Sequence, residues 1–115
     1  MLIYKILRPE EWQMLRELGE TQGAPIDITD GYIHFSTSET VVETAEKHFA
    51  GAGDLWILAL DPETFDDPVK WEVSRGDQLF PHLYGPLKLK DVVWSEELPE
   101  QDGNHVFPRG VGQEL

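Results

Sequence analysis

The segment Asp30-Gly31-Tyr32-Ile33-His34-Phe35-Ser36-Thr37 holds a turn signal, a strand pattern and the start of a helix. Asp-Gly is a strong turn dipeptide, and the alternation that follows it predicts a strand over residues 32–35. Ile33 and Phe35 then face the core, because side chains alternate between the two faces of a strand. The opposite face carries three side chains able to bind a ligand: Tyr32, His34 and Ser36.

Helices are predicted on both sides of this strand. Ser36-Thr37-Ser38-Glu39 has the spacing of a capping box, and an apolar stripe closed by Gly51 follows it, which predicts a helix over residues 37–50. Nearer the N-terminus, Pro9 and two glutamates favour a helix start, and apolar residues recur at helical spacing over residues 10–18. The residues that mark this first helix are its apolar face and its C-terminal cap: Trp12, Leu15, Leu18 and Gly19.

The remaining apolar runs predict strands. Residues 55–60 form a continuous apolar run typical of a central strand, and shorter strands are predicted over residues 2–7, 69–73 and 92–94. Residues 20–29 have no clear period, and two prolines and a glycine predict a stiff loop over residues 80–86. The sequence thus predicts an α+β fold in one domain over residues 1–98, with a largely mobile tail over residues 99–115.

Composition excludes several function classes. The 115 residues hold 9 Lys and Arg against 22 Asp and Glu, a net charge of −13 that argues against general nucleic-acid binding and against anionic membranes. The lack of cysteine excludes a thiol nucleophile, and no apolar run is long enough to cross a bilayer, so we expect a cytoplasmic protein. Dinucleotide, P-loop and hydrolase motifs are absent from the sequence, as are metal-ligand spacings such as HxxxH, so no metal is expected.

Three separate segments carry the candidate chemistry. The first is the polar strand face described above. The second is Glu72 with Arg75, and the third is His82 with Tyr84. Each has a structural alternative, namely a helix cap for Ser36, a local ion pair for Glu72 and a hydrogen-bonded histidine for His82. Convergence of the segments on one pocket would favour a functional site.

These motifs together resemble a family of small bacterial proteins, the domain of unknown function 952. The resemblance runs from Tyr4 to about Phe107, and its motifs are Ile3-Tyr4-Lys5-Ile6, Asp30 to Thr37, Lys70-Trp71-Glu72, Ser74-Arg75-Gly76 and Leu79 to Gly85. The family is similar in fold to the ADP-ribosyltransferases, in which a bent, split antiparallel sheet with short flanking helices grips NAD in a cleft. This resemblance implies NAD as a candidate substrate.

The resemblance also implies roles for individual residues. Phe35-Ser36-Thr37-Ser38 resembles a cleft segment of the arginine-specific ADP-ribosyltransferases, and His34-Phe35-Ser36 resembles the His-x-Ser strand of the NAD-dependent RNA 2′-phosphotransferases. Lys5 stands where those enzymes have Arg or His, and their C-terminal Glu-x-Glu pair is absent, which leaves Glu72 as the nearest catalytic carboxylate. The implied catalytic residues are His34, Glu72 and His82. The implied ligand-binding residues are Lys5, Tyr32, Ser36, Thr37, Arg75 and Tyr84.

Three functional hypotheses follow. The first is a cleft that binds a nucleotide or NAD-like molecule and transfers or hydrolyses ADP-ribose. The second is a non-catalytic module that binds the same class of small molecule. The third is a protein-interaction domain whose four tryptophans include an exposed patch.

Overall fold

A computed structural model of the protein describes residues 1–74 and 76–112. In chain order, its elements are β1 (Ile3–Leu7), α1 (Pro9–Leu18), β2 (Glu20–Thr21), α2 (Pro25–Asp30), β3 (Ile33–His34), α3 (Val41–His48), β4 (Leu55–Leu60), a 3-10 turn (Pro62–Thr64), β5 (Val69–Val73), β6 (Leu79–Leu83), β7 (Leu87–Lys88), a second 3-10 turn (Leu89–Asp91), β8 (Val92–Leu98), β9 (Glu100–Gln101) and β10 (Asn104–His105). None of the helices in these described ranges is long and apolar enough to cross a membrane.

The strands form two three-stranded antiparallel sheets, ordered β1-β4-β8 and β3-β6-β5, and two short antiparallel ribbons, β2-β7 and β9-β10. One bridge links the two larger sheets. The Tyr4 N–H donates to the Ser36 carbonyl at 2.8 Å, and the Ser36 N–H donates to the Tyr4 carbonyl at 2.9 Å. The predicted α+β class with antiparallel strands and short helices is therefore confirmed.

The core lies on both faces of β1 and β4. Ile3 and Leu58 belong to one buried apolar cluster, whereas Ile6 and Ile57 belong to a second cluster. A strand buried on both faces needs apolar residues at successive positions rather than in alternation, which is why β4 reads as a continuous apolar run. The prediction that residues 55–60 form a central strand is confirmed.

Helix α1 matches its predicted limits, and Trp12 and Leu15 are buried. Gly19 adopts a left-handed conformation at φ 80°, and its N–H donates to the Leu15 carbonyl. Leu18, which the sequence placed on the apolar face, is instead 66% exposed. The helix ends at Leu18, and the last buried residue of its apolar face is Leu15.

Helix α3 is shorter than the predicted span of residues 37–50. The predicted capping box at Ser36 does not form, because the Ser36 carbonyl, which would accept the first helical hydrogen bond, accepts from the Tyr4 N–H instead. The chain makes a further turn in which the Thr40 hydroxyl accepts from the Thr37 N–H at 3.0 Å, and the helix begins only at Val41. The Ser36 hydroxyl donates to the Thr44 hydroxyl instead of capping the helix.

Helix α2 and strand β6 were not predicted, nor were the four two-residue strands of the short ribbons. Residues 25–30 form helix α2, which Pro25 opens and Gly31 closes with φ 85°. Residues 79–83 form strand β6 rather than part of a loop, although Pro81 lies in the middle of it. Proline has no N–H to donate to a ladder, but its carbonyl accepts from the Phe35 N–H at 3.1 Å, so β6 pairs with the chain that follows β3. Strand β8 also extends beyond its predicted end, to Leu98.

The C-terminal segment has anchors that the sequence did not reveal. The Glu100 carboxylate accepts from the N–H groups of Gly51 and Gly53 at 2.8 and 3.2 Å, and β9 pairs with β10. Val111 is buried in the cluster that contains Ile6 and Ile57. These contacts attach residues 99–112 to the rest of the protein; the largely mobile tail over residues 99–115 stays a prediction, and residues 113–115 lie outside the described residues.

We predict that Val111→Ala lowers the free energy of unfolding by about 2 kcal/mol, because it removes two buried methyl groups and leaves a cavity. The matched control is Val106→Ala in the same segment, where the side chain is 45% exposed. That control should change stability by less than about 0.5 kcal/mol. Urea denaturation measures the free energy of unfolding of both variants. Equally small losses of stability for the two would show that the segment does not contribute to the core.

Candidate functional site

A cleft of about 750 Å³ opens beside the bridge that joins the two larger sheets. Both sheets and the helices α2 and α3 contribute to its lining. Aromatic and aliphatic side chains form much of its wall, including Tyr4, Ile6, Phe35, Phe49 and Phe80. Its polar groups include Lys5, Arg8, His34, Ser36, His48 and His82.

Asp27, which the sequence analysis did not single out, organises the wall of this cleft. Its carboxylate is fully buried and accepts four hydrogen bonds, each from a nearby donor. Oδ2 accepts from Lys5 Nζ at 2.8 Å and from the Ala24 N–H at 2.7 Å. Oδ1 accepts from the His34 N–H at 3.0 Å and from His34 Nδ1 at 2.6 Å. One side chain thereby ties α2 to β1 and β3.

The four donors keep Asp27 ionised. Burial alone would raise the pKa of this carboxyl, but the His34 hydrogen bond and the charge of Lys5 outweigh burial and lower its pKa from 3.8 to about 2. Asp27 therefore carries a negative charge at neutral pH. Gly23 contributes a spatial constraint, since a Cβ atom at this position would collide with the Asp27 side chain.

His34 is held in a fixed orientation at the cleft. Because an ionised carboxylate only accepts hydrogen bonds, His34 Nδ1 carries the proton that it shares with Asp27. The other ring nitrogen, Nε2, lies 3.0 Å from Asp30 Oδ2, and 28% of the side chain is exposed. The ring is thus positioned by a buried anion and reachable from the cleft.

A second histidine–carboxylate pair lies beside the first. His82 Nδ1 is 2.8 Å from Glu72 Oε1, and the same oxygen accepts from the Tyr84 hydroxyl at 2.8 Å. These two hydrogen bonds lower the pKa of Glu72, and the bond to Glu72 raises the pKa of the Tyr84 hydroxyl. His82 is buried, and its Nε2 has no hydrogen-bond partner within residues 1–74 and 76–112.

Aromatic contacts join the two pairs. The ring of Tyr32 stacks on His82 with centroids 4.2 Å apart and also lies 4.7 Å from His34 and 5.1 Å from Tyr84. The centroids of His34 and His82 are 5.3 Å apart. Burial and the neighbouring carboxylates of Asp30 and Glu72 raise the pKa of the Tyr32 hydroxyl, so it stays protonated at neutral pH.

The structure therefore brings together most of the residues that the sequence analysis selected. Lys5, His34, Ser36 and His82 line the cleft. Three others contact the histidines or each other directly beside it: Tyr32, Glu72 and Tyr84. Residue Thr37 does not line the cleft but bonds to Thr40. Arg75 lies outside the described residues.

Some placements differ from what the sequence suggested. Lys5 is not free to hold a ligand phosphate, because its amine is bound by Asp27 and by the His34 carbonyl at 2.9 Å. His48 and Arg8, which the sequence analysis did not select, border the cleft. The one signal for Asp27 was its place between Pro25 and Gly31, which mark the limits of a short helix.

Comparisons with known proteins agree with this fold. A family model described as "Protein of unknown function (DUF952)" matches residues 6–95. Similar solved structures include a crystal structure of protein CC0527 from Caulobacter crescentus, with 41% identity, a TM-score of 0.86, and coverage of 92% of this chain and 94% of that chain. A solution NMR structure of CC0527 has 40% identity, a TM-score of 0.79 and coverage of 90% of both chains. No curated protein matches the chain.

Asp27→Asn tests how much the four hydrogen bonds to Asp27 contribute to stability. This change leaves the buried Lys5 without a counter-ion, so we predict a loss of about 3–5 kcal/mol in unfolding free energy at pH 7. The pKa of Asp27 is lower in the folded state, so its contribution is complete above pH 3.8 and decreases as the pH falls toward 2. The difference in unfolding free energy between wild type and Asp27→Asn should therefore decrease by about 2 kcal/mol as the pH falls over that interval.

Chemical denaturation between pH 2 and pH 7 measures this difference. Asp66→Asn is the control, because Asp66 pairs with Lys88 at 2.6 Å but is exposed. A variant at Asp27 that is as stable as the Asp66 variant would contradict the assigned network.

Proposed function

The chain belongs to the DUF952 family of proteins of unknown function, and we propose that it binds a nucleotide-like small molecule in the cleft and exchanges a proton with it through His34. The observation that carries this proposal is the four-donor site of Asp27, which fixes His34 against the cleft. Asp27 orients Nδ1 of the ring, and Nε2 faces the partly exposed Asp30 carboxylate at 3.0 Å, which a reacting group would displace to reach the imidazole.

The size and lining of the cleft support this ligand class. Small-molecule sites have volumes of roughly 300–1,000 Å³ and combine apolar walls with a few oriented polar groups. The cleft, at about 750 Å³, falls in that range. The half-buried ring of Phe49 offers an apolar surface for a planar base, whereas Ser36 and His34 offer partners for ribose hydroxyls.

The paired histidines support a catalytic version of the proposal. In hydrolysis of NAD, the bond between nicotinamide and ribose breaks, and nicotinamide leaves with its electron pair. A water oxygen forms the new bond to ribose, and its proton passes to His34 or to the His82–Glu72 pair. Each imidazole has a carboxylate partner that orients its ring, at 2.6 Å for His34 and 2.8 Å for His82.

A relation to the ADP-ribosyltransferase fold forms part of the proposal. Support comes from the division of the strands into two antiparallel sheets joined at Tyr4 and Ser36, with the cleft at their junction. The position of Ser36 in the cleft also agrees with this relation.

Two alternatives give different experimental results. A non-catalytic module would bind the same ligands without converting them. A protein-interaction domain would use exposed apolar side chains, and Trp71, Val73 and Leu79 form such a group on β5 and β6. Among the four tryptophans, Trp71 is 41% exposed, whereas Trp12 is buried.

We predict that His34→Ala weakens binding of ADP-ribose by about 10- to 100-fold, the range for loss of one hydrogen bond to a charged or strongly polar group. His105→Ala is the control, because its ring bonds to the Gly53 carbonyl away from the cleft. Isothermal titration calorimetry measures the affinity of both variants for ADP-ribose and for NAD. Thermal melting checks that each variant is folded, and His34→Asn provides a second, smaller change.

The same samples separate the alternatives. Release of nicotinamide from NAD by the wild type, abolished in His34→Ala, supports catalysis, whereas binding without release supports the non-catalytic module. If neither ligand binds to the wild type at millimolar concentration, the nucleotide proposal is wrong.

A further inference from the structure

We propose that Arg8 binds a phosphate group of the ligand, which makes the cleft selective for nucleotides over nucleosides. This inference rests on the proposed function and adds a subsite to it. Lys5, one of the ligand-binding residues implied by the sequence, is bound by Asp27, whereas the geometry points to Arg8 for the phosphate.

The position of Arg8 fits such a role. It follows β1 directly, is half-buried, and lines the cleft together with Phe49. Its guanidinium carbon lies 5.1 Å from the centroid of the Phe49 ring. A cation–π contact of this kind restricts the long side chain without neutralising its charge.

Arg8 has no counter-ion among residues 1–74 and 76–112. Within the described ranges its guanidinium makes no hydrogen bond or ion pair, whereas Lys5 and Lys88 are bound by Asp27 and Asp66. This contrast is informative in a chain with 22 acidic and 9 basic side chains, where carboxylates are abundant. A partly desolvated cation gains most from an anionic partner that enters the same cleft.

The acidic side chains in the lining do not compete strongly for this position. Glu11 accepts a hydrogen bond from the backbone N–H of Arg8 at 2.8 Å rather than from its guanidinium. Asp30 faces His34 at 3.0 Å, and Glu10 is exposed. The guanidinium therefore keeps its donors for a ligand.

The chemistry of arginine selects the ligand group. Its planar fork of N–H donors matches two oxygens of a phosphate, and it stays charged at any physiological pH. Arg8 and His34 line the same cleft, so a ligand whose sugar binds at His34 can place its phosphate on Arg8. The expected ligand is thus a nucleotide with a free or bridging phosphate.

Calorimetry with ADP and adenosine tests this assignment. We expect Arg8→Met to weaken ADP binding by about 10- to 100-fold, as expected for loss of charge-assisted hydrogen bonds, and to leave adenosine binding unchanged. Arg8→Lys should be intermediate, because it keeps the charge but loses the planar fork. The matched control is Arg16→Met on helix α1, since Arg16 makes the same contact with Trp12, also at 5.1 Å.

The outcomes separate the two proposals. If wild type and Arg8→Met both bind ADP with the same affinity, the Arg8 subsite is wrong and the proposed function is unaffected. If Arg8→Met loses as much affinity for adenosine as for ADP, the Arg8 subsite is also wrong, because the substitution then changes the cleft in general. Failure of the wild type to bind either ligand overturns both proposals. Melting curves and the Arg8→Lys variant exclude misfolding as the cause of a loss.

Discussion

A single buried carboxylate determines how the parts of this protein meet. Asp27 is isolated from solvent, and a buried charge is tolerated only when it is paired and fully hydrogen-bonded. Its partners come from three parts of the chain: Lys5 in β1, Ala24 before α2, and His34 in β3. The network therefore fixes the relative positions of the two sheets at the edge where the cleft opens. If Asp27 were lost, the geometry of His34 would be lost with it.

The two histidine–carboxylate pairs differ in a way that suggests different tasks. His34 has a buried carboxylate partner and an accessible ring, whereas His82 is buried and Glu72 is partly exposed. Tyr32 contacts both imidazoles and holds them 5.3 Å apart. In the proposed function, the accessible ring of His34 is therefore the one that meets the ligand.

Local signals in the sequence predicted the elements that local interactions define. Pro9 and Gly19 delimit α1, and alternation placed Ile33 and Phe35 in the core, where both are buried. The predictions that were wrong concern residues whose structure depends on contacts with residues far away in the sequence. Ser36 does not cap α3, because its backbone pairs with Tyr4, which lies 32 positions earlier in the chain. Pro81 argued against a strand, yet its carbonyl completes a ladder with Phe35.

The same distinction applies to the site. The polar strand face and the His82 segment could be found from residue type and spacing, and they do meet at one cleft. Asp27 could not be found this way, because six-residue helices have too little periodicity and its partner Lys5 is 22 positions away. Arg8 escaped notice because nothing in its local sequence shows that its guanidinium lies on Phe49 without a counter-ion.

A crystal structure of the protein soaked with ADP-ribose tests the central claim most directly. The account predicts ligand density in the cleft, with a ribose hydroxyl within hydrogen-bond distance of His34, a phosphate at Arg8, and the four bonds to Asp27 unchanged. Density for the ligand on another surface, or a bound ligand that contacts neither His34 nor Arg8, would contradict it.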